Sequence, residues 1–100
     1  LQRAWAGLGD HPLVGETRGL GLVAALELVA DKTDNRRFDS AVGAGLICRE
    51  HCFEQGLVMR AVGDTMIISP PLVISHAEVD ELITKARRAL DLTYQTLTGN

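Results

Sequence analysis

The sequence predicts an α+β domain of two layers, a small antiparallel or mixed sheet with helices packed on one side. Three observations carry this prediction. Apolar residues alternate at period two between Val14 and Val29. Two short apolar runs flank Gly63-Asp64, a dipeptide suited to a hairpin turn. A capped run of helical periodicity begins at Ser75. The order read from the chain is strand, helix, strand, strand, helix.

The chain has 100 residues, which is one domain at most. It is 46% hydrophobic and 23% charged, a balance that excludes disorder as its main state. Its aromatic residues are Trp5, Phe38, Phe53 and Tyr94, so the core must rest on Leu, Val, Ile and Ala. The net charge of −3, with both signs scattered, gives no basic patch for nucleic acid or an anionic membrane. No apolar run of these residues reaches the length of a bilayer span, and none has the charged start and apolar middle of a secretory signal, so none is expected. Cys48 and Cys52 alone do not make a disulfide framework. A cytoplasmic location is the expectation.

Leu1 to Leu8 reads as the tail of a helix, so the chain looks like a piece of something larger. Gly9-Asp10-His11-Pro12 breaks it. From Val14 to Val29 the pattern is β-like and spaced by glycines. Leu20, Leu22, Ala24, Leu26 and Leu28 fall on one face, and Val23, Ala25, Glu27 and Val29 on the other. A strand apolar on both faces is expected to be covered on both sides. Asp31 to Asp39 is polar and reads as a solvated loop.

Ala41 to Gln55 reads as a helix with Ala41, Ala44, Cys48 and Cys52 on one face, ended by Gly56 in a left-handed conformation. Leu57 to Ala61 and Met66 to Ser69 read as strands around the Gly63-Asp64 turn. Ser69-Pro70-Pro71 stops the sheet, since proline donates no ladder hydrogen bond. In the last helix Ser75 and Glu78 form a capping box, and Ile74 and Val79 take the positions of a hydrophobic staple. Val79, Leu82, Ile83, Ala86, Leu90 and Leu97 then follow helical spacing.

Several patterns suggest chemistry that their context does not support. Gly19-Leu20-Gly21-Leu22-Val23-Ala24 matches G-x-G-x-x-A, but a dinucleotide site needs that motif to open a helix, and here a strand follows. Cys48, His51 and Cys52 could meet on a helix, but no second cluster completes a four-ligand zinc site, and His11 and His76 lie in unrelated contexts. Ser69 and Ser75 lack a paired base and a G-x-S-x-G setting. Arg60 is different, a lone guanidinium on the apolar segment Leu57-Val58-Met59-Arg60-Ala61-Val62. It reads either as an edge-strand arginine with its head in solvent or as a carboxylate binder, because a guanidinium holds a carboxylate through two parallel hydrogen bonds.

Read together, the motifs carry a resemblance. Val14-Gly15-Glu16-Thr17-Arg18-Gly19-Leu20-Gly21-Leu22, continuing to Leu26-Glu27-Leu28, resembles the V-G-E-x-R-G-x-G-L…E-L stretch of class III, ω-type aminotransferases. Gly56-Leu57-Val58-Met59-Arg60-Ala61-Val62-Gly63-Asp64 resembles their G-L-x-x-R-x-x-G-D segment. Ile68-Ser69-Pro70-Pro71-Leu72-Val73-Ile74 resembles S-P-P-L-x-I, and Glu78 to Leu82 the start of their last helix. The resemblance runs from about Leu13 to Leu97 and implies the C-terminal small domain of a fold-type I enzyme.

Such an enzyme has a large domain that binds pyridoxal 5'-phosphate, works as a homodimer with active sites at the subunit interface, and moves an amino group from an amine or amino acid to a keto acid such as pyruvate. The resemblance makes Arg60 the residue that binds substrate carboxylate and swings aside for bulky amines without one, a movement that the Gly63 turn suits. It makes no residue of this chain catalytic, cofactor-binding or metal-binding. The lysine that carries the cofactor is missing, since Lys32 and Lys85 lack the expected context, so residues 1–100 alone are expected to be inactive. Arg18 and Glu27 are given structural roles. The competing expectation is a free-standing ferredoxin-like module for ligand sensing or dimerisation, because fold alone does not assign function.

Overall fold

Alternation in the first third of the chain builds not one strand but a hairpin. In the computed structural model, which describes residues 2–20, 23–34, 36–57, 59–68 and 75–98, β1 (Val14–Leu20) pairs antiparallel with β2 (Val23–Leu28). Period two cannot reveal this, because a hairpin preserves the alternation on both arms. Gly21 and Leu22 lie outside the described residues, as do Ser69 to Ile74 with the proline stop and half of the predicted staple.

The other strands are β3 (Arg60–Val62) and β4 (Thr65–Ile68), joined by the Gly63-Asp64 turn with Gly63 at φ +59°. The described residues form a four-stranded sheet in the order β1-β2-β4-β3, every neighbour antiparallel. The helices are α1 (Gln2–Ala6), α2 (Ala44–Glu54) and α3 (His76–Thr98).

One sheet face and all three helices share a single core. Ala24, Leu26 and Leu28 of β2 and Met66 and Ile68 of β4 are buried with Trp5 and Leu8, with Ala44, Cys48 and Cys52 of α2, and with Leu82, Ala86 and Leu90 of α3. This is the predicted two-layer α+β arrangement. The opposite face is only half covered: Val23 is 48% exposed, and Ala25 and Glu27 are partly buried. The expected two-sided cover of this strand is therefore supplied on one side only by the described residues. Val29 is buried, but it lies beyond β2, where its N–H donates to the Leu13 carbonyl at 2.7 Å.

Ends of elements differ from the periodic reading where side chains compete for backbone groups. The first helix passes at Gly7 into a 3₁₀ turn that reaches Asp10. His11, 5% exposed, follows it. Its Nδ1 accepts the Leu13 N–H at 3.2 Å, so its hydrogen sits on Nε2, which donates to Asp91 of α3 at 3.0 Å. Lys32 reaches back to the carbonyl of Gly9, and Arg87 to Asp10 at 2.9 Å. These contacts join the start of the chain to α3 and to the loop after β2.

The polar loop contains two Asx-type turns, Thr33 N–H to Asp31 Oδ1 at 2.9 Å and Arg36 N–H to Asp34 Oδ1 at 3.1 Å. The predicted helix from Ala41 is shorter at its start. Ser40–Val42 is a 3₁₀ turn capped by Asp39, and Gly43 at φ +66° separates it from α2. Ala41 is consequently exposed while Ala44, Cys48 and Cys52 keep the buried face. Gly56 takes the left-handed conformation at φ +79° beyond the helix end.

The capping box of α3 is formed in both directions: the Glu78 N–H donates to Ser75 Oγ and the Ser75 N–H to Glu78 Oε1, each at 3.1 Å. Ser75→Ala is expected to cost about 1 kcal/mol of stability, read as a lower urea midpoint with an unchanged slope.

Candidate functional site

The open sheet face carries the chain's unspent chemistry. Because register fixes which residues stand side by side, Arg18, Ala25, Ile67 and Arg60 form one cross-strand row over all four strands. An arginine stands at each end of an apolar centre, about 14 Å apart at the usual strand spacing. The adjacent row is Glu16, Glu27, Thr65 and Val62.

The two arginines are in different states. Arg18 is neutralised, its Nη2 lying 3.4 Å from Glu27 Oε1 and its Nη1 3.4 Å from Glu16 Oε2. Arg37, from the loop after β2, takes the other Glu27 oxygen at 3.0 Å. Glu27, 17% exposed, thus joins β1, β2 and that loop. Arg18 and Glu27, given structural roles in the sequence reading, pair with each other, and Arg37 is an addition that no local pattern signals. A hollow of about 360 Å³ beside them is lined by Gly15, Glu16, Glu27, Val29 and Arg37.

Arg60, on β3 at the edge of the described sheet, is exposed, and its side chain makes no hydrogen bond or ion pair to any described residue. The turn that follows it is held firmly. Asp64 Oδ1 accepts the Gly45 N–H in the first turn of α2 at 2.9 Å, and the Asp64 carbonyl accepts the Leu28 N–H at 2.9 Å. Asp64 caps α2 from 19 residues downstream, which is why no signal next to the helix start points to it. A second hollow, of about 440 Å³, lies at this junction among Phe38, Leu46, Ala61, Gly63 and Asp64.

Cys48, Cys52 and His51 are engaged in structural contacts. Cys48 and Cys52 are free and buried, and Cys52 lies 3.6 Å from the Met59 sulfur. A hydrogen bond with Cys48, together with burial, pushes the Cys52 thiol up. His51 points elsewhere, to Glu54 at 2.8 Å and Thr96 at 3.0 Å. Among the described residues no group of three His, Cys, Asp or Glu is placed to hold a metal ion. No helix among them is long and apolar enough to cross a membrane.

The lysines do not fit a role as cofactor carrier. Lys32 is bound to the Gly9 carbonyl, and Lys85 of α3 is paired with Glu81 at 2.8 Å. Neither stands on the open sheet face.

No family model matches the chain. Among curated proteins, the putrescine–pyruvate aminotransferase of Pseudomonas aeruginosa is 64% identical over 93 residues, which is 93% of this chain and 20% of that protein. The diaminobutyrate–2-oxoglutarate transaminase of Halomonas elongata is 36% identical over 97% of this chain and 21% of its own length. This chain thus spans about a fifth of the curated relatives it matches. Among solved structures, the ω-transferase of Vibrio fluvialis JS17 superposes with a TM-score of 0.92 at 28% identity, covering 98% of this chain and 23% of that one. A transaminase from ancestral reconstruction gives 0.89 at 46% identity, over 95% of this chain and 21% of its own. These likenesses do not favour a free-standing ferredoxin-like module. In sequence and in fold, the chain matches the C-terminal domain of class III aminotransferases, ω-type enzymes among them.

Proposed function

We propose that this chain is the small domain of a longer pyridoxal-phosphate-dependent aminotransferase, and that Arg60 binds the carboxylate of the keto-acid acceptor. The observation that carries the role of Arg60 is its exposed guanidinium, without a partner among the described residues, while Arg18 in the same row is neutralised by Glu16 and Glu27. Residues 1–100 then constitute the C-terminal small domain, with a large cofactor-binding domain elsewhere in the same polypeptide. The share of the relatives' length that the chain spans, about a fifth, supports this division.

The amino group moves from an amine or amino acid to a keto acid such as pyruvate, in a homodimer located in the cytoplasm. The 64% identity to a putrescine–pyruvate aminotransferase supports both the reaction and the acceptor. When bound, the cofactor would supply the electron sink for the transfer, held by residues outside 1–100. What this chain contributes is recognition. Arg60 holds and orients the acceptor carboxylate by a two-pronged, charge-assisted contact. The apolar Ala25–Ile67 centre beside it accepts the carbon skeleton of a substrate or the apolar surface of the large domain.

The test is spectroscopic. The full-length product is purified with pyridoxal phosphate, and its visible absorbance is followed on adding putrescine and then pyruvate. The proposal expects absorbance that bleaches with the amine and returns with the keto acid. A full-length protein with no bound cofactor, or one whose absorbance ignores both substrates, overturns it.

A further inference from the structure

We propose that Asp64 is a positioning residue for Arg60. It sets the guanidinium by locking the turn at the end of β3, and this rests on the reading of Arg60 as the carboxylate binder.

The argument begins with how little else holds Arg60 in place. β3 has three residues and, among the described residues, is an edge strand paired only with β4. Edge strands this short are among the softer parts of a fold. Recognition through a bidentate guanidinium is sensitive to small displacements of its base. Something must therefore stiffen the Arg60–Val62 segment, and the structure shows it in the next two residues.

The turn is tied in two directions at once. Toward α2, Asp64 Oδ1 takes the Gly45 N–H at 2.9 Å, one of the donors that the first turn of a helix leaves unpaired. The carboxylate also meets the positive end of the helix. Toward the sheet, the Asp64 carbonyl takes the Leu28 N–H at 2.9 Å and extends the β2–β4 ladder by one rung.

The fit is close enough to exclude a side chain at residue 45. A Cβ there would lie 2.0 Å from the Gly63 carbonyl oxygen. Gly45 lets the turn sit directly on α2, and Gly63, at φ +59°, gives the turn its shape.

The turn is thus an anchor rather than a hinge. Any displacement of Arg60 between substrates takes place in its side chain, above a fixed strand. Asp64 touches α2 and β2 and acts on the substrate only through β3.

The experiment uses the full-length enzyme with one amine donor and two acceptors: pyruvate, and propanal, which lacks a carboxylate. Asp64→Ala is expected to raise KM for pyruvate on the order of tenfold while KM for propanal stays within about twofold. Asp64→Asn, which keeps the accepting oxygen, is expected to recover most of the pyruvate KM. Thermal midpoints are recorded for each variant. Asp64→Ser, which keeps a polar oxygen nearby, replaces the alanine variant if that one fails to fold. Equal changes with both acceptors, or no change with pyruvate, overturn the positioning role. Arg60→Ala run alongside separates the two claims. If Arg60→Ala discriminates between the acceptors and the Asp64 variants do not, only the positioning role falls. If Arg60→Ala does not discriminate, the Arg60 reading falls and takes the positioning role with it.

Discussion

With Arg60 replaced by alanine, the full-length enzyme is expected to take its amino group from a carboxylate-free amine at close to the normal rate and to fail in passing it to pyruvate. The asymmetry follows from where the charge is needed. A hydrogen bond to a charged group contributes about 1.5–3 kcal/mol. At about 1.4 kcal/mol per factor of ten, its loss lowers kcat/KM for pyruvate by roughly ten- to a hundredfold. The amine half-reaction presents no carboxylate and so has nothing to lose at this position.

Arg60→Lys is expected to recover only part of the loss, because an ammonium restores the charge without the planar fork. Single-turnover kinetics of the two half-reactions, measured separately, read the result. An equal loss in both would show that Arg60 supports the structure of the site and does not bind the acceptor.

The largest expected effect on stability comes from the other side of the sheet. Trp5→Ala is expected to cost about 3–5 kcal/mol, the usual range for emptying a large aromatic site in a core. Trp5 is 1% exposed, and its indole N–H donates to the Ala25 carbonyl at 2.9 Å. It is the residue that joins the short α1 to the middle of the sheet. Set against the 5–15 kcal/mol typical of a whole domain, the substitution removes a large share of the total.

Trp5→Phe keeps much of the buried area and gives up the indole hydrogen bond, so its cost should fall to about 1–2 kcal/mol. Urea unfolding of the wild-type and variant chains followed by far-ultraviolet circular dichroism measures both, since the chain's single tryptophan is itself the site. An alanine variant with an unchanged midpoint would mean that α1 is not part of the cooperative unit.

Sequence alone determined those features whose causes lie within a few residues. The Ser75–Glu78 capping box, the left-handed Gly56, the Gly63-Asp64 turn and the buried stripe of Val79, Leu82, Ala86 and Leu90 are all present as read. Each depends on contacts at i to i+4 or on one residue's backbone preference. The ordered motifs around Glu16, Arg60 and Glu78 also carried the resemblance that the comparisons support.

Tertiary structure decided the rest. Alternation from Val14 to Val29 did not disclose the hairpin, because both arms keep the same period. The helix read from Ala41 begins at Ala44, because Asp39 and Gly43 redirect the chain ahead of it. Arg18 and Arg37 converge on Glu27, Asp64 caps α2 across 19 residues, and His11 meets Asp91 across 80. Such partners are selected by how the layers pack, and no local pattern records the choice. Among the described residues, the same packing leaves one sheet face only half covered and gives Arg60 no ion-pair partner. Residue type makes Arg60 able to bind a carboxylate; the assembled sheet pairs Arg18 with Glu16 and Glu27 and leaves Arg60 exposed at the other end of the same row.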